Sequence, residues 1–298
     1  MCHLFFSFRN GPIRSLLQEF LDKCTNNSTY TPNVNHRHCT TIKDGFGIAW
    51  KQNGRWKIYK QPKTYREDPN IETILHNIQS DLVIAHIRRK KYGNSSMENT
   101  HPFYYNGQIF AQNGNIGNFE EHKELLRNYM YAPFVNKIEG QTDTEYLFFL
   151  FLSCMKYIDS TNSNSKVSEF SRVQQGMYKK LIHDSKIQQP TEPSTKYINA
   201  FILLIQIFKR HSIELGANII YSDNTVVLVS RYIFYDENNY KKTQISPALY
   251  WNKSKKQENE SILITSEPLK NYDNILFSEN SVVVFDVKKY TVHMQSNI

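Results

Sequence analysis

Cysteine is scarce in this chain of 298 residues: four thiols, at Cys2, Cys24, Cys39 and Cys154. Their spacing fits no zinc-ligand pattern and no dense disulfide framework, so the expectation is free thiols, no metal and a reducing compartment, the cytoplasm. Long apolar runs are missing too. The stretches 146–151 and 198–208 fall short of the ~20 residues that span a bilayer, and Gln206 interrupts the second. The start of the chain has no basic segment followed by an apolar run and a cleavage site, so no secretory signal and no membrane association are expected. The formal net charge is +8, yet no zinc finger, ribonucleoprotein motif or basic heptad helix is found. The Lys and Arg residues are scattered, with one dense cluster at Arg88-Arg89-Lys90-Lys91, so nucleic acid is not an expected partner. No repeat of 20–50 residues occurs, which excludes a solenoid.

What remains is globular in composition, with 40% hydrophobic and 21% charged residues, and long enough for a substantial core. Residues 2–8 suit a buried strand, and Gly11-Pro12 punctuates it. Leu16, Leu17, Phe20, Leu21 and Cys24 then form a helical stripe. A polar loop covers 25–38. Residues 45–50 and 56–59 read as a hairpin about Gly54, 71–79 as a short helix and 82–88 as a strand. The strand at 108–111 is expected to break at Asn113-Gly114. Helices are expected at 119–130, from Thr142 or Asp143 to about 157, and at 197–211. Strands follow at 217–221, 225–231, 248–251, 262–266, 281–287 and 290–295. The stretch at about 158–196, rich in Ser, Asn, Lys and Gln, reads as a polar insertion with mobile parts. The whole is expected to be a single domain over 2–298.

Four stretches carry chemistry. Cys2, once Met1 is removed, unites a thiol and a free α-amine on one residue. An amine with a pKa of about 7.7–8 is partly a base near neutral pH, and a thiol is a ready nucleophile. Arg88 ends a strand, where its guanidinium suits a two-pronged grip on a carboxylate; a surface salt bridge is the plainer alternative. Asn113-Gly114 is first a turn signal, but an Asn amide beside a glycine N–H also makes a pair of oxyanion donors. Asp143 and Glu145 suit the first turn of a helix, and Asp143 also suits a substrate ammonium. A thiol, an amine, two oxyanion donors, an Arg and an Asp together describe a site for an acyl group bearing a free α-amino acid head, such as glutamine or a γ-glutamyl compound.

The order and spacing of several segments resemble class II glutamine amidotransferases, members of the N-terminal nucleophile hydrolases. The segments are Met1-Cys2, Asp44-Gly45-Phe46-Gly47-Ile48-Ala49-Trp50, Ala85-His86-Ile87-Arg88, Glu98-Asn99-Thr100-His101-Pro102-Phe103, Phe110-Ala111-Gln112-Asn113-Gly114-Asn115-Ile116 and Thr142-Asp143-Thr144-Glu145. In the second half, Ala217-Asn218, residues 246–251 and Ile264-Thr265-Ser266-Glu267-Pro268-Leu269 resemble the stand-alone subgroup, which includes γ-glutamyl hydrolases of glutathione degradation and ergothioneine synthesis. The resemblance implies an α+β fold, a four-layer αββα sandwich of two stacked antiparallel sheets. It implies Cys2 as nucleophile with its own amine as base, Asn113 and the Gly114 N–H as oxyanion hole, Arg88 for the substrate carboxylate and Asp143 for its amino group. His101 is implied as a supporting residue at the edge of the glutamine pocket. The implied reaction is hydrolysis of a γ-glutamyl amide through a Cys2 thioester, without cofactor or metal. The implied partners are glutamine or a γ-glutamyl molecule, and a separate ammonia-accepting or peptidase protein. Hydrolysis of a γ-glutamyl peptide such as glutathione is one alternative, and a catalytically silent binding or regulatory protein on the same fold is another. Two features depart from the family pattern. Gln112 stands where members commonly have His before Asn-Gly, and the loop after Arg88 is unusually basic.

Overall fold

The structure, a computed structural model, describes residues 2–8, 13–25, 42–162, 167–185, 187, 193–235, 248–254, 261–287, 292–296 and 298. Its first sheet contains β1 (His3–Phe8), β2 (Phe46–Gln52), β3 (Arg55–Gln61), β4 (Leu82–Ile87), β10 (Tyr250–Ser254), β11 (Ile262–Thr265) and β12 (Tyr272–Leu276). Their order is β12-β10-β11-β1-β4-β2-β3. The second sheet contains β5 (Phe103–Tyr105), β6 (Gln108–Ile116), β7 (Leu215–Ser222), β8 (Val226–Arg231), β9 (Ile233–Phe234), β13 (Ser281–Asp286) and β14 (Val292–Ser296). Its order is β14-β13-β8-β7-β6-β5, with β9 paired to β7. Every pairing is antiparallel.

Strand pleat explains the layers. Leu4, Phe6 and Phe8 of β1 and Leu82 and Ile84 of β4 face inward, against Ile109, Ala111, Ile220, Val229, Val283 and Phe285 of the other sheet. The alternate residues Phe5, Val83, Ala85 and Ile87 face outward, under Leu17, Phe20 and Leu21 of α1 (Arg14–Thr25) and Leu75 of α2 (Ile71–Asn77). Both faces of β1 are therefore buried, which is why Leu4, Phe5 and Phe6 follow one another without alternation. The outer face of the second sheet is covered by α3 (Phe119–Tyr129), α5 (Asp143–Asn162), α6 (Arg172–Asp184) and α7 (Pro193–Arg210), with the short α4 (Ala132–Val135) beside α5. The result is helix, sheet, sheet, helix, the α+β sandwich expected.

Two expectations need correction. The strand at 108–111 does not break at Asn113-Gly114: β6 continues to Ile116, pairing Asn113 with Asn218 and Gly114 with Ala217. A long neighbouring strand outweighs a two-residue turn preference, because β7 supplies a partner along the whole length of β6. The polar stretch 158–196 contains the end of α5, a 3-10 turn at Val167–Glu169, α6 and the start of α7. α6 opens on a capping box, with Ser171 Oγ accepting from Gln174 N–H and the Gln174 side chain accepting from Ser171 N–H, and it buries Tyr178 and Leu181. The expected features at Gly11-Pro12, across 26–38, at Cys39, at Pro190, at 246–247 and at 290–291 lie outside the described residues.

Candidate active site

Cys2 stands one residue before β1, the strand with both flanks paired in the middle of the first sheet. Extending the pleat by one residue puts it on the side of Leu4 and Phe6, toward the second sheet. It is half-buried. Its Sγ accepts from the Arg89 N–H at 3.3 Å and lies 3.5 Å from the Arg89 carbonyl. Burial pushes the thiol above its ordinary value, and the contact with the Arg89 backbone and the charges of His3 and Arg88 pull it back. The strand end is pinned from the outer side. His3 Nδ1 meets Glu267 Oε1 at 3.0 Å, and the Leu4 N–H donates to Ser266 Oγ at 3.0 Å.

Arg88 is 3% exposed, which removes the surface salt bridge. Its Nη1 donates to the carbonyls of Asp44 and Asn94, and its Nη2 to that of Tyr92, at 2.8–3.2 Å. Three carbonyls thus fix the plane of the guanidinium, while Nε–H and one Nη2 hydrogen have no partner among the described residues. A guanidinium has five donors, and the two left over suit a carboxylate. Burial lowers Arg88 from its ordinary value, and Cys2, Asp44 and Asp143 oppose the shift.

Asn113 and Gly114 lie on β6. Ile109 and Ala111 face the first sheet, so Asn113, two residues on, faces it too. The Asn113 side chain is buried and makes no hydrogen bond among the described residues. Opposite Gly114, the Ala217 N–H turns away from β6 to the Tyr232 carbonyl at 2.8 Å. In an antiparallel pair the partner then turns outward as well. The Gly114 N–H therefore points to the free edge of β6, beyond the end of β5, which pairs only as far as Phe110. The neighbours two residues either way confirm this edge: Gln112 N–H donates to His101 Nδ1 and Ile116 N–H donates to Asp143 Oδ2. A Cβ on Gly114 would collide with the Gly216 carbonyl oxygen, so the close packing of β6 on β7 requires glycine there.

Asp143 is the first residue of α5. Thr142 Oγ1 accepts from the Glu145 N–H at 3.3 Å, which makes Thr142 the cap, and Glu145 accepts from the Glu139 and Gly140 N–H groups. Asp143 is thereby left to reach β6, holding the Ile116 N–H at 3.0 Å on Oδ2 and the Thr144 N–H at 2.9 Å on Oδ1. Burial raises its carboxyl to about 6, against those hydrogen bonds and Lys91.

His101 is buried, away from solvent, with its ring stacked 3.8 Å from that of His86. His86 is missing from the residues the sequence singles out for roles of their own, although it stands two residues before Arg88. Both imidazoles are pushed down by burial, His86 to about 3. Gln112 uses its side-chain NH2 to hold the Gly216 carbonyl at 2.7 Å. The basic residues Arg89, Lys90 and Lys91 are exposed at the rim. Among the described residues no group of three His, Cys, Asp or Glu is placed to hold a metal ion. No helix of the described residues is long and apolar enough to cross a membrane.

A sandwich of this topology with a thiol heading its central strand defines a class. The family model for class II glutamine amidotransferases matches residues 20–185, more than half of the chain, and the chain belongs to that family. Among individual relatives, it is 36% identical over 119 residues to the Saccharomyces cerevisiae protein named "Probable glutamine amidotransferase DUG3". That match takes in 38% of this chain and 33% of the yeast protein. The matched stretches thus cover about a third of the length of such curated relatives. Among solved structures, a class II glutamine aminotransferase domain protein of Silicibacter pomeroyi superposes with a TM-score of 0.53 over 98% of both chains at 18% identity. The glutamine phosphoribosylpyrophosphate amidotransferase of Bacillus subtilis gives 0.53 at 13% identity, over 99% of this chain and 49% of that one. At these identities the likeness is one of fold, that of the N-terminal nucleophile hydrolases.

Proposed function

We propose that the protein hydrolyses a γ-glutamyl amide through a thioester on Cys2, with residues 2–298 as one glutamine amidotransferase type-2 domain. The observation that carries this reading is the seating of the Cys2 thiol on the Arg89 N–H, next to the buried Arg88, while Asp143 holds the Ile116 N–H on an edge of β6 whose Gly114 N–H has no partner among the described residues. Once Met1 is removed, the Cys2 amine takes the thiol proton. The thiolate attacks the γ-carbonyl, and the oxyanion is met by the Asn113 amide and the Gly114 N–H. The C–N bond breaks, and the protonated amine base gives its proton to the departing ammonia or amine. Water, deprotonated by the same amine, then cleaves the thioester and releases glutamate. Arg88 holds the α-carboxylate and Asp143 the α-ammonium, and His101 supports the pocket from behind. A nucleophilic thiol of this kind suits the reducing cytoplasm.

The leaving group separates two forms of the reading. With glutamine, ammonia passes to a separate acceptor protein. The exposed trio Arg89-Lys90-Lys91 beside the thiol favours a leaving group that carries carboxylates, as in a γ-glutamyl peptide such as glutathione. The test is to confirm Met1 removal by intact mass, then measure glutamate release from glutamine, glutathione and other γ-glutamyl peptides. Cys2→Ala lowers release by on the order of 10⁴-fold or more with an unchanged circular dichroism melt. Full activity in Cys2→Ala, or an active preparation that retains Met1, sinks the mechanism, and no release from any of these substrates by the processed wild type leaves a binding role on this fold.

A further inference from the structure

β5 ends its pairing with β6 at Phe110, yet the edge of β6 does not go bare at the next position. The two backbone groups that Gln112 turns to that edge are both taken by imidazoles. The Gln112 carbonyl meets His86 Nε2 at 3.0 Å, and the Gln112 N–H donates to His101 Nδ1 at 3.4 Å. A carbonyl only accepts, so His86 carries its proton on Nε2. An N–H only donates, so His101 Nδ1 is bare. The rings are nearly parallel, with an interplanar angle of 20°. His86 comes from the first sheet, inward beside Leu4 and Gly47, and His101 from the loop before β5. The His86 Nδ1 has no partner among the described residues, so this ring is committed to the Gln112 contact alone. The backbone of His101 is set by Gly47, whose missing Cβ leaves room for the His101 carbonyl.

We propose that the stacked pair His86–His101 replaces a strand partner for Gln112 and so acts as a pair of positioning residues for the oxyanion donors Asn113 and Gly114. This rests on the function proposed above for those donors. Fixing the N–H and carbonyl of Gln112 fixes the direction in which the chain enters Asn113. Two residues past Gly114, Asp143 takes the Ile116 N–H and fixes the exit. The open Gly114 N–H is thus suspended between two side-chain clamps, one built from neutral rings and one from a carboxylate. Because both rings lose their charge through burial, the pattern of one donor and one acceptor holds at any pH near neutrality.

Replacement by residues that keep or remove the single atom used tests this. Asn places its Oδ1 where His Nδ1 stands, and Gln places its Nε2 where His Nε2 stands. His101→Asn and His86→Gln therefore preserve the contact to Gln112, while His101→Leu and His86→Leu abolish it. Two measurements are made on the full chain with Met1 removed: amide hydrogen exchange of peptides covering 108–116, and kcat and KM for glutamate release. The Leu variants are expected to exchange faster across 108–116 and to lose about 10²-fold in kcat, as for a displaced oxyanion donor, with KM nearly unchanged. The Asn and Gln variants recover most of both. Wild-type exchange in the Leu variants overturns the proposal, and so does equal impairment of the preserving and removing variants. Cys2 labelling by a diazoketone analogue of glutamine, read by intact mass, reports separately on the reading beneath it. If wild type neither labels nor turns over, that reading fails, and the exchange data alone decide whether the clamp exists.

Discussion

Asp143 is the residue on which two demands meet. It secures the backbone of β6 through Ile116, and on the proposed reading it also receives the substrate ammonium. Burial raises its carboxyl to about 6, so it is mostly ionised at pH 7 and loses its charge as pH falls through that value. Activity should follow. We expect kcat/KM to decline below about pH 6 by tenfold per unit, and this acid limb to vanish in Asp143→Asn, which binds substrate poorly at every pH. A pH–rate profile of the two proteins checks it; an identical limb in both assigns it to another group. The positions of Cys2, Arg88 and Asp143 were legible in the sequence because each stands at a strand or helix end. His86 was not, because its contact is to a main-chain carbonyl, and backbone partners leave no mark in a residue string. Its position two residues before Arg88 gave it the inward face of β4, which alternation alone does reveal.

At the level of elements, the sequence misleads where local and non-local preferences disagree. Asn113-Gly114 has the composition of a turn, yet β7 holds β6 straight, and the glycine serves a close approach to the Gly216 carbonyl instead. α6 was hidden by its polar setting, although Ser171 and Gln174 form a legible capping box ahead of the buried Tyr178 and Leu181. β5 and β12 were missed, being three and five residues long with exposed positions. β2 makes the element-scale prediction. Gly47 lies beside the His101 carbonyl, and a Cβ there would overlap the oxygen. Gly47→Ala is expected to cost about 1–3 kcal/mol by overpacking, measured by denaturant unfolding. It should lower turnover as well, because the loop it displaces carries the His101 ring; stability and activity both at wild-type level would refute this.

For the molecule as a whole, the candidate site is divided between two sheets. Cys2 and Arg88 come from the first, Asn113 and Gly114 from the second, and the apolar layer between the sheets, with the His86–Gln112 contact at its edge, sets their separation. Phe6 is fully buried in that layer, with its ring 6.4 Å from that of Phe285 across the gap. Phe6→Ala is expected to destabilise by about 3–5 kcal/mol. At temperatures where the variant is still folded, kcat should fall more than KM rises, since on the proposed reading the thiol and the Asn113-Gly114 edge must meet at a set distance. Loss of stability with unaltered kinetics would show that the layer does not set the site. The placement of β1 also has a consequence in time. One flank of β1 pairs with residues 82–87, but the other pairs with 262–265. At roughly 5–20 residues per second on the ribosome, that second neighbour is made on the order of tens of seconds after Cys2. Throughout that interval the strand bearing the thiol has only one of its two neighbours and no complete sheet to enter. The architecture thus makes the closing of the sheet around Cys2 a late event of synthesis, because the last neighbour of its central strand is among the last strands made.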